Sequence, residues 1–272
     1  MFIIAVMYFG YNYVNARPPA TANLDSTGNN EAEEEEEEPS PPRNFTRKQL
    51  AYFDGKMEDK SEDHKPVYLS VNGIVFDVSD GRNFYGPGGP YEAFAGHECG
   101  VALAKMSFDT EHLDDLDGCE RLNFGEKQEL DNWIEKFQYY RCYPIKGRLI
   151  SDSELATLAS RTLTKDDLAK HTGSPDEPVL DGYAARSIYI AAGSKVFDMS
   201  FGGIEFYGPG CSYNRFAGKD ASRALAKMSF EDADLSNTDT SDLDDKQKKV
   251  LDDWIKTFEV RKGYPIVGTI EK

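Results

Sequence analysis

One internal repeat covers most of the chain, and this repeat limits the folds available to it. The segment Tyr85–Tyr91 (YGPGGPY) returns as Tyr207–Tyr213 (YGPGCSY), 122 residues later. The run Ala102–Phe108 recurs letter for letter as Ala224–Phe230. A period of this length is much longer than the ~20–50 residues of solenoid repeats, so each copy is expected to form an independent small domain.

The repeat divides the chain into parts with different compositions. The two copies span residues 44–150 and 163–272, and residues 151–162 join them as either a flexible linker or a packed helix. Residues 23–43 combine a run of glutamates with several prolines. Such a segment cannot bury apolar area, which predicts a disordered, self-repelling tether.

The N-terminal segment, residues 1–22, has a different character. Met1–Val14 is apolar and aromatic and carries no charge, but it is shorter than the ~20 residues that cross a bilayer. Ala20-Thr21-Ala22 fits a small-x-small cleavage site. The alternatives are a short membrane anchor, a cleaved signal peptide and an incorrect start, and we favour the anchor.

Local patterns predict an α+β fold for each copy. Thr46 with Gln49, and Thr164 with Asp167, have the capping-box spacing of a helix start. Asn72-Gly73 between two apolar runs predicts a type I′ hairpin. Apolar spacing predicts long helices over 126–139 and 245–260, and apolar tails predict final strands within 143–150 and 264–270.

Composition excludes several classes of function. The net charge of −17 argues against a nucleic-acid partner, because a phosphate backbone demands clustered Lys and Arg. The four cysteines and four histidines do not recur between the copies, and the cysteines have no C-x-x-C spacing. A duplicated zinc, histidine or disulfide site is therefore not expected. No hydrolase or kinase signature occurs, and we predict no catalytic residue.

The polar residues that do recur close to glycine and proline are tyrosines. They are Tyr85, Tyr91 and Tyr143 in the first copy, and Tyr207, Tyr213 and Tyr264 in the second. A phenolate is a hard anionic donor and is one of the known proximal ligands of haem iron. Aromatic residues in a Gly/Pro loop can equally fill the edge of a core. The residues alone leave both interpretations open.

The runs Asn72–Ser79 and Phe84–Gly96, with Ala221–Ala226 in the second copy, resemble the membrane-associated progesterone receptor family, a branch of the cytochrome b5-like domains. The resemblance covers about 44–150 and 163–271, and it implies two tandem cytochrome b5-like haem/steroid-binding domains. The first copy departs from the family pattern at Glu98–Val101. The H-P-G-G signature of true cytochrome b5 is absent.

The resemblance also implies roles for the tyrosines. Tyr91 and Tyr213 are expected to be the single axial ligands of five-coordinate haem b, with one or two haems per chain and haem iron as the only metal. Hydrogen bonding in the haem pocket is expected from Tyr85, Tyr207, Tyr143 and Tyr264. Some family members have a lysine before the third tyrosine, where this chain has Cys142 and Gly263; Arg261 and Lys262 can partly substitute in the second copy. Cys211-Ser212 is expected to loosen the second loop.

The function implied by the resemblance is that of a membrane-tethered haem-binding protein, with a steroid, sterol or other lipid as a further ligand. Such a protein is not itself an enzyme, and it assists partners such as cytochrome P450 or sterol-metabolism enzymes. Its expected place is the endoplasmic reticulum membrane with both domains on the cytosolic face, the alternative being secreted or lumenal. The competing functions are an electron-transfer cytochrome b5-like protein and a haem-free bivalent scaffold. A glycan on Asn44, in the sequon Asn44-Phe45-Thr46, would indicate a lumenal position.

Overall fold

The computed structural model describes residues 41–57 and 64–271. The predicted anchor and nearly all of the tether lie outside the described residues. Arg43, predicted as the last residue of the tether, is instead the first residue of a strand. Within the described part of the chain, no helix is long and apolar enough to cross a membrane.

Domain 1 is a four-stranded sheet with helices against it, and its strands lie in the order β1-β4-β3-β2. These strands are β1 Arg43–Phe45, β2 Tyr68–Val71, β3 Ile74–Asp77 and β4 Ile145–Leu149. The helices are α1 Arg47–Leu50, α2 Arg82–Tyr85, α3 Gly100–Ala104 and α4 Phe124–Glu135, which continues as a π-helical turn, Lys136–Tyr140. Short 3₁₀ turns span Ser79–Gly81, Glu92–Phe94, Thr110–His112 and Leu116–Arg121.

Domain 2 repeats this plan after a connecting helix, α5 Asp152–Ala159. Its strands, in the order β5-β9-β7-β6-β8, are β5 Thr162–Leu163, β6 Tyr189–Ala192, β7 Lys195–Asp198, β8 Lys219–Asp220 and β9 Ile266–Ile270. Its helices are α6 Lys165–Leu168, α7 Ile204–Tyr207, α8 Ser222–Lys227, α9 Asp232–Ser236 and α10 Asp245–Lys256, followed by a π turn, Thr257–Arg261, with a 3₁₀ turn at Asn214–Phe216. The α+β fold in tandem duplicate is confirmed.

Several local predictions are also confirmed. Both capping boxes form, with Thr46 and Gln49 at the start of α1 and Thr164 and Asp167 at the start of α6. The β2–β3 hairpin turns at Asn72-Gly73, where φ is 50° and 77°. A type I′ turn requires positive φ at both central residues, which the side chain of Asn tolerates and Gly adopts freely.

The connecting segment forms a packed helix. Ser151 caps α5 through its hydroxyl, which accepts from the backbone N–H of Glu154 at 3.2 Å. Leu155 and Leu158 pack against a buried cluster made of Ile150, Tyr183 and Phe201. This cluster draws residues from both sides of the connection, so the two domains meet through an apolar contact.

A buried hydrogen-bonded contact centred on Asn44 also joins the domains. Its Nδ2 donates to Ser200 Oγ at 2.9 Å, and its Oδ1 accepts from the backbone N–H of Ala184 at 2.8 Å. The Asn44 backbone N–H donates to the carbonyl of Ser200 at 3.2 Å. Asn44 is fully buried. A glycan on Asn44 is incompatible with this interface, so the sequon cannot report the topology of the folded protein.

Asp198 extends the same network inward and is fully buried. Its Oδ1 accepts from the N–H of Ser200 at 2.8 Å and from the Ser200 hydroxyl at 2.5 Å. Its Oδ2 and the Tyr183 hydroxyl are buried without a hydrogen-bond partner. Burial raises the pKa of Asp198 to about 7, only partly opposed by the Ser200 hydrogen bonds. The protonated acid is therefore the form that the fold favours.

Asn44→Ala should lower the free energy of unfolding by about 1–3 kcal/mol, because it leaves Ser200 Oγ and the Ala184 N–H without their partner. Urea denaturation measures the change. Asn132→Ala is the matched control, since Asn132 is exposed and its side chain donates only at 3.4 Å to Glu129. Equal effects of the two substitutions would contradict the assigned importance of the contact.

Asp198 should make stability depend on pH. A carboxyl whose pKa is raised in the folded state contributes most at low pH, and this contribution is lost as pH rises from about 4 to the folded-state pKa of about 7. We expect Asp198→Asn to flatten the stability profile by roughly 2–4 kcal/mol across that window. Urea unfolding at a series of pH values tests this, and parallel profiles for the two proteins would refute it.

Candidate functional site

The second tyrosine of each repeated motif is held by an aromatic stack. The ring of Tyr213 lies 6.0 Å from Phe216 and 5.8 Å from Phe230, measured between centroids. Phe216 and Phe230 are themselves parallel, 5.2 Å apart. In domain 1 the corresponding distances are 5.9, 5.7 and 5.4 Å among Tyr91, Phe94 and Phe108. Sequence reasoning missed the Phe108/Phe230 support, although both residues end the run that repeats letter for letter.

The Gly/Pro loop before this tyrosine has the same backbone in both domains. Tyr91 N–H donates to the Phe84 carbonyl at 2.8 Å, and Tyr213 N–H donates to the Phe206 carbonyl at 3.0 Å. The turn bond is also kept, since the N–H of Cys211 donates to the Gly208 carbonyl at 3.0 Å. The substitution of Cys211-Ser212 therefore leaves these backbone hydrogen bonds in place, and the expected loosening of the second loop stays a prediction.

The three repeated tyrosines lie close together in each domain. In domain 2 the ring of Tyr207 lies 5.8 Å from Tyr213 and 6.5 Å from Tyr264. In domain 1 the matching distances are 5.8 Å between Tyr85 and Tyr91 and 6.4 Å between Tyr85 and Tyr143. The sequence prediction that these tyrosines belong together is therefore supported by their positions.

We call the domain 2 site the tyrosine cleft. It is a shallow opening of about 320 Å³, a volume that includes solvent at its mouth, and it is lined by Phe206, Tyr207, Tyr213, Trp254, Thr257, Phe258, Lys262 and Tyr264. The π turn contributes Thr257 and Phe258 to this lining, and Lys262 follows the turn directly. The apolar spacing of the sequence does not distinguish such a turn from a continuous α-helix. Among these described lining residues there is no histidine. Of the histidines elsewhere, His97 pairs with Asp114 and His171 bonds Ser187.

Burial keeps the phenols of the cleft in their neutral form. It raises the pKa of Tyr207 well above its usual value, with a further contribution from Tyr264. Burial also raises the pKa of Tyr264 and of Tyr213. In domain 1 the pKa values of Tyr85 and Tyr143 rise for the same reason. A neutral phenol can donate a hydrogen bond, and only a strong cation such as a metal would favour its ionised form.

Each domain has a cationic side chain at the same sequence position, two residues before its third tyrosine. The Lys262 Nζ lies 5.6 Å from the Phe206 ring centroid, and the Arg141 guanidinium lies 5.8 Å from that of Phe84. The two cations precede Gly263 and Cys142, where some family members have a lysine. Lys262 lines the tyrosine cleft itself. The expected substitution of a neighbouring cation in the second copy is thus possible in geometric terms.

The two domains differ at one wall of the site. Thr257 lines the cleft in domain 2 and donates its hydroxyl hydrogen bond to the carbonyl of Asp253 at 2.8 Å. Lys136 occupies the matching position in domain 1, and its Nζ lies 4.2 Å from the centroid of the Trp133 ring. A cation over an indole face is held by electrostatic attraction. Lys136 therefore covers a surface that the corresponding threonine leaves open.

The cytochrome b5-like heme/steroid binding domain model matches the chain twice, over residues 54–143 and 164–264. These matches cover more than half of the chain, and each contains all three tyrosines of its copy. The chain belongs to this family. The second match confirms that the repeat is a duplication of one domain type.

Curated relatives carry related names. The Cytochrome P450 regulator dap1 of Schizosaccharomyces pombe is 38% identical over 132 residues, which are 47% of this chain and 75% of that protein. Probable steroid-binding protein 3 of Arabidopsis thaliana is 39% identical over 39% of this chain and 98% of its own. The match to human membrane-associated progesterone receptor component 2 is 35% identical and spans 41% of this chain and 47% of that protein. A solved structure of a putative steroid-binding protein from Arabidopsis is 35% identical, with a TM-score of 0.35 over 42% of this chain and 100% of its own.

The departure of the first copy at Glu98–Val101 has a structural explanation. In domain 2 the hairpin N–H of Gly193 donates to Ser222 Oγ at 2.9 Å, and Asp220 accepts from Ser222. Domain 1 has Gly100 in place of Ser222, because a Cβ at that position would lie 2.7 Å from Cys119 Sγ. The longer Glu98 spans the gap directly, accepting from the N–H groups of Asn72, Gly73 and Gly100 at 2.9, 3.0 and 2.8 Å and from the Ser70 hydroxyl.

Glu98→Gln should lower the free energy of unfolding of domain 1 by about 1–3 kcal/mol. The NH₂ group of glutamine cannot accept a hydrogen bond, so one of the backbone N–H groups that now donate to Glu98 would lose its acceptor. Thermal and urea unfolding measure the loss. The matched control is Glu135→Gln, because Glu135 is an exposed residue at the end of α4. Unfolding curves that coincide for the two variants would rule out this role for Glu98.

Proposed function

We propose that this protein binds haem b through a single tyrosine, Tyr213 in domain 2 and Tyr91 in domain 1. One observation carries the proposal: each domain fixes the ring of this tyrosine on a phenylalanine stack beside two further buried tyrosines. A core-filling aromatic residue would not need three phenol groups at one opening. The repetition of this arrangement in two copies that differ elsewhere favours a shared ligand.

The residues of the domain 2 cleft fit a flat, mostly apolar cofactor that carries a metal and anionic groups. Trp254, Phe206 and Phe258 provide apolar aromatic walls. The tyrosine hydroxyls provide oxygen atoms, and Lys262 provides a cation. Phenolate is a hard donor suited to ferric iron, and tyrosine is a known ligand of haem iron. The absence of histidine from the lining residues agrees with tyrosine as the only ligand type.

Bound haem would supply a ferric centre, which an anionic phenolate ligand stabilises against reduction. Tyr213 would release its phenolic proton on binding, because its pKa in the folded protein is raised by burial. Tyr207 and Tyr264 would stay neutral and act as hydrogen-bond donors, since burial opposes their ionisation. The stacked pair Phe216 and Phe230 would keep the ring of Tyr213 in one orientation.

We further propose an accessory role rather than catalysis. The names of the relatives support a function beside cytochrome P450 or sterol-metabolism enzymes, with a steroid or another lipid as a second ligand. Relatives named membrane steroid-binding proteins support a position at the membrane. The N-terminal segment 1–22 is proposed to tether the chain to the endoplasmic reticulum membrane, with both domains on the cytosolic face.

Haemin titration of the purified full chain tests the axial ligands. We expect Tyr213→Phe to abolish iron coordination in domain 2, Tyr91→Phe to abolish it in domain 1, and the double variant to lose both. Each single loss should weaken binding at its own site by at least the roughly 10–100-fold that removal of an outer-shell partner costs. Absorbance against protein mass gives the number of haems per chain.

Tyr139→Phe serves as the matched control, because Tyr139 is an exposed tyrosine on the π turn of domain 1. Unchanged haem coordination in the double variant would reject tyrosine ligation. A six-coordinate spectrum with rapid reduction by a cytochrome reductase would instead favour an electron-transfer protein. Purification without iron, combined with no uptake of haemin, would favour the haem-free scaffold.

A further inference from the structure

A second opening lies between the two domains, beside the tyrosine cleft. We call it the interdomain groove; it encloses about 840 Å³ including its mouth, and its lining is Arg43, Lys48, Gln49, Tyr52, Phe53, Phe201, Gly202, Val260, Arg261, Lys262, Gly263 and Tyr264. Lys262 and Tyr264 line both the groove and the tyrosine cleft. The two openings are therefore neighbours that share a wall.

The groove is basic although the chain is strongly acidic. Four of its lining residues are Arg or Lys, in a chain whose net charge is −17. Among the described residues that line it there is no carboxylate. Burial lowers the pKa of Arg43 and of Lys262, and the charge of Arg43 lowers that of Lys262 further, while Glu205 acts in the opposite direction. Cations that are desolvated close together favour the binding of an anion.

Arg43 is held in a fixed position by residues of both domains. Its guanidinium lies 4.2 Å from the ring centroid of Phe45 and 5.6 Å from that of Phe53. On the domain 2 side it lies against Gly202, where a Cβ would come within 2.4 Å of Arg43 Nη1. Gly202 has φ of 103°, a conformation that favours glycine. The domain 2 loop is thus shaped to admit the arginine of domain 1.

Domain 1 also contacts the domain 2 loop that carries Lys262. Gln49 Nε2 donates to the carbonyls of Lys262 and Gly263 at 3.2 and 3.3 Å, and to that of Phe201 at 2.7 Å. The corresponding loop of domain 1 contains Cys142, which is exposed. The arginine at the matching position in the second copy, Arg161, is directed to Tyr189 and Val267 within its own domain. The support therefore runs in one direction, from domain 1 to domain 2.

We propose that Arg43 of domain 1 completes the domain 2 site by pairing, in the interdomain groove, with carboxylate groups of the ligand held in the tyrosine cleft. This inference rests on the proposed function, because haem carries two propionate carboxylates. Arginine suits this task, since its planar guanidinium binds a carboxylate through two parallel hydrogen bonds. Because Lys262 and Tyr264 line both openings, the groove that holds Arg43 lies next to the ligand site.

The test compares haemin with haemin dimethyl ester, in which both propionates are neutral. The full chain carries Tyr91→Phe, so that only the domain 2 site remains, and is the parent for Arg43→Gln. We expect the parent to bind haemin about tenfold or more tightly than the ester, as a charge-assisted hydrogen bond allows. Arg43→Gln should remove most of that preference by weakening haemin binding alone, and Arg43→Lys should keep part of it.

The control is Arg47→Gln, since Arg47 follows four residues later and pairs with Asp152 outside the groove. It should leave the preference for haemin unchanged. Equal weakening of both ligands by Arg43→Gln would overturn the inference, because it would assign Arg43 a purely structural role at the interface. A parent that binds both ligands equally would also overturn it while leaving the proposed function intact. A parent that binds neither ligand would overturn both.

Discussion

The close parallel pairing of β1 with β4 is the contact on which the arrangement of the two domains depends. It is possible only because Gly147 stands in β4 with φ of 149°, where a Cβ would lie 1.7 Å from the carbonyl oxygen of Arg43. Gly268 has the same role in β9, with φ of 150°. Because β1 is fixed in the sheet, Asn44 within this strand and Gln49 in the helix after it lie against domain 2. The polar contacts of the interface and the position of Arg43 in the groove both follow from this strand pairing.

Local sequence patterns predicted much of the fold, because those elements are determined by interactions a few residues apart. The capping boxes of Thr46 and Thr164 and the Asn72-Gly73 hairpin are of this kind. The π turns were not predicted: the apolar spacing that ends at Phe137 or Phe258 is also compatible with a continuous α-helix. A π turn widens the helix by one residue and often occurs at functional sites. Here it presents Thr257 and Phe258 to the cleft.

The polar contacts between the domains could not be predicted, because those made by Asn44 and Gln49 join residues more than 100 positions apart. Asn44 has the pattern of an exposed glycosylation sequon, yet it is fully buried against Ser200 and Ala184. The candidate site was more accessible to sequence reasoning, since comparison of the copies isolates the tyrosines that recur. Their approach to within about 6 Å is a property of the structure. Comparison of the copies does not identify residues that differ between them and still shape the site, such as Lys136 and Thr257.

Those differences argue that duplication produced one composite unit rather than two equivalent sites. Glu98 replaces the Asp220 and Ser222 pair and preserves the hairpin contact, so this divergence keeps the fold unchanged. Gly202 has another effect, because its missing side chain leaves room for Arg43 of domain 1, and Gln49 of domain 1 donates to the Gly263 carbonyl beside it. A simple bivalent scaffold would require each copy to keep its own binding surface free. In this chain the start of domain 1 is instead committed to the loop beside the domain 2 cleft, which makes the first copy a structural part of the second site.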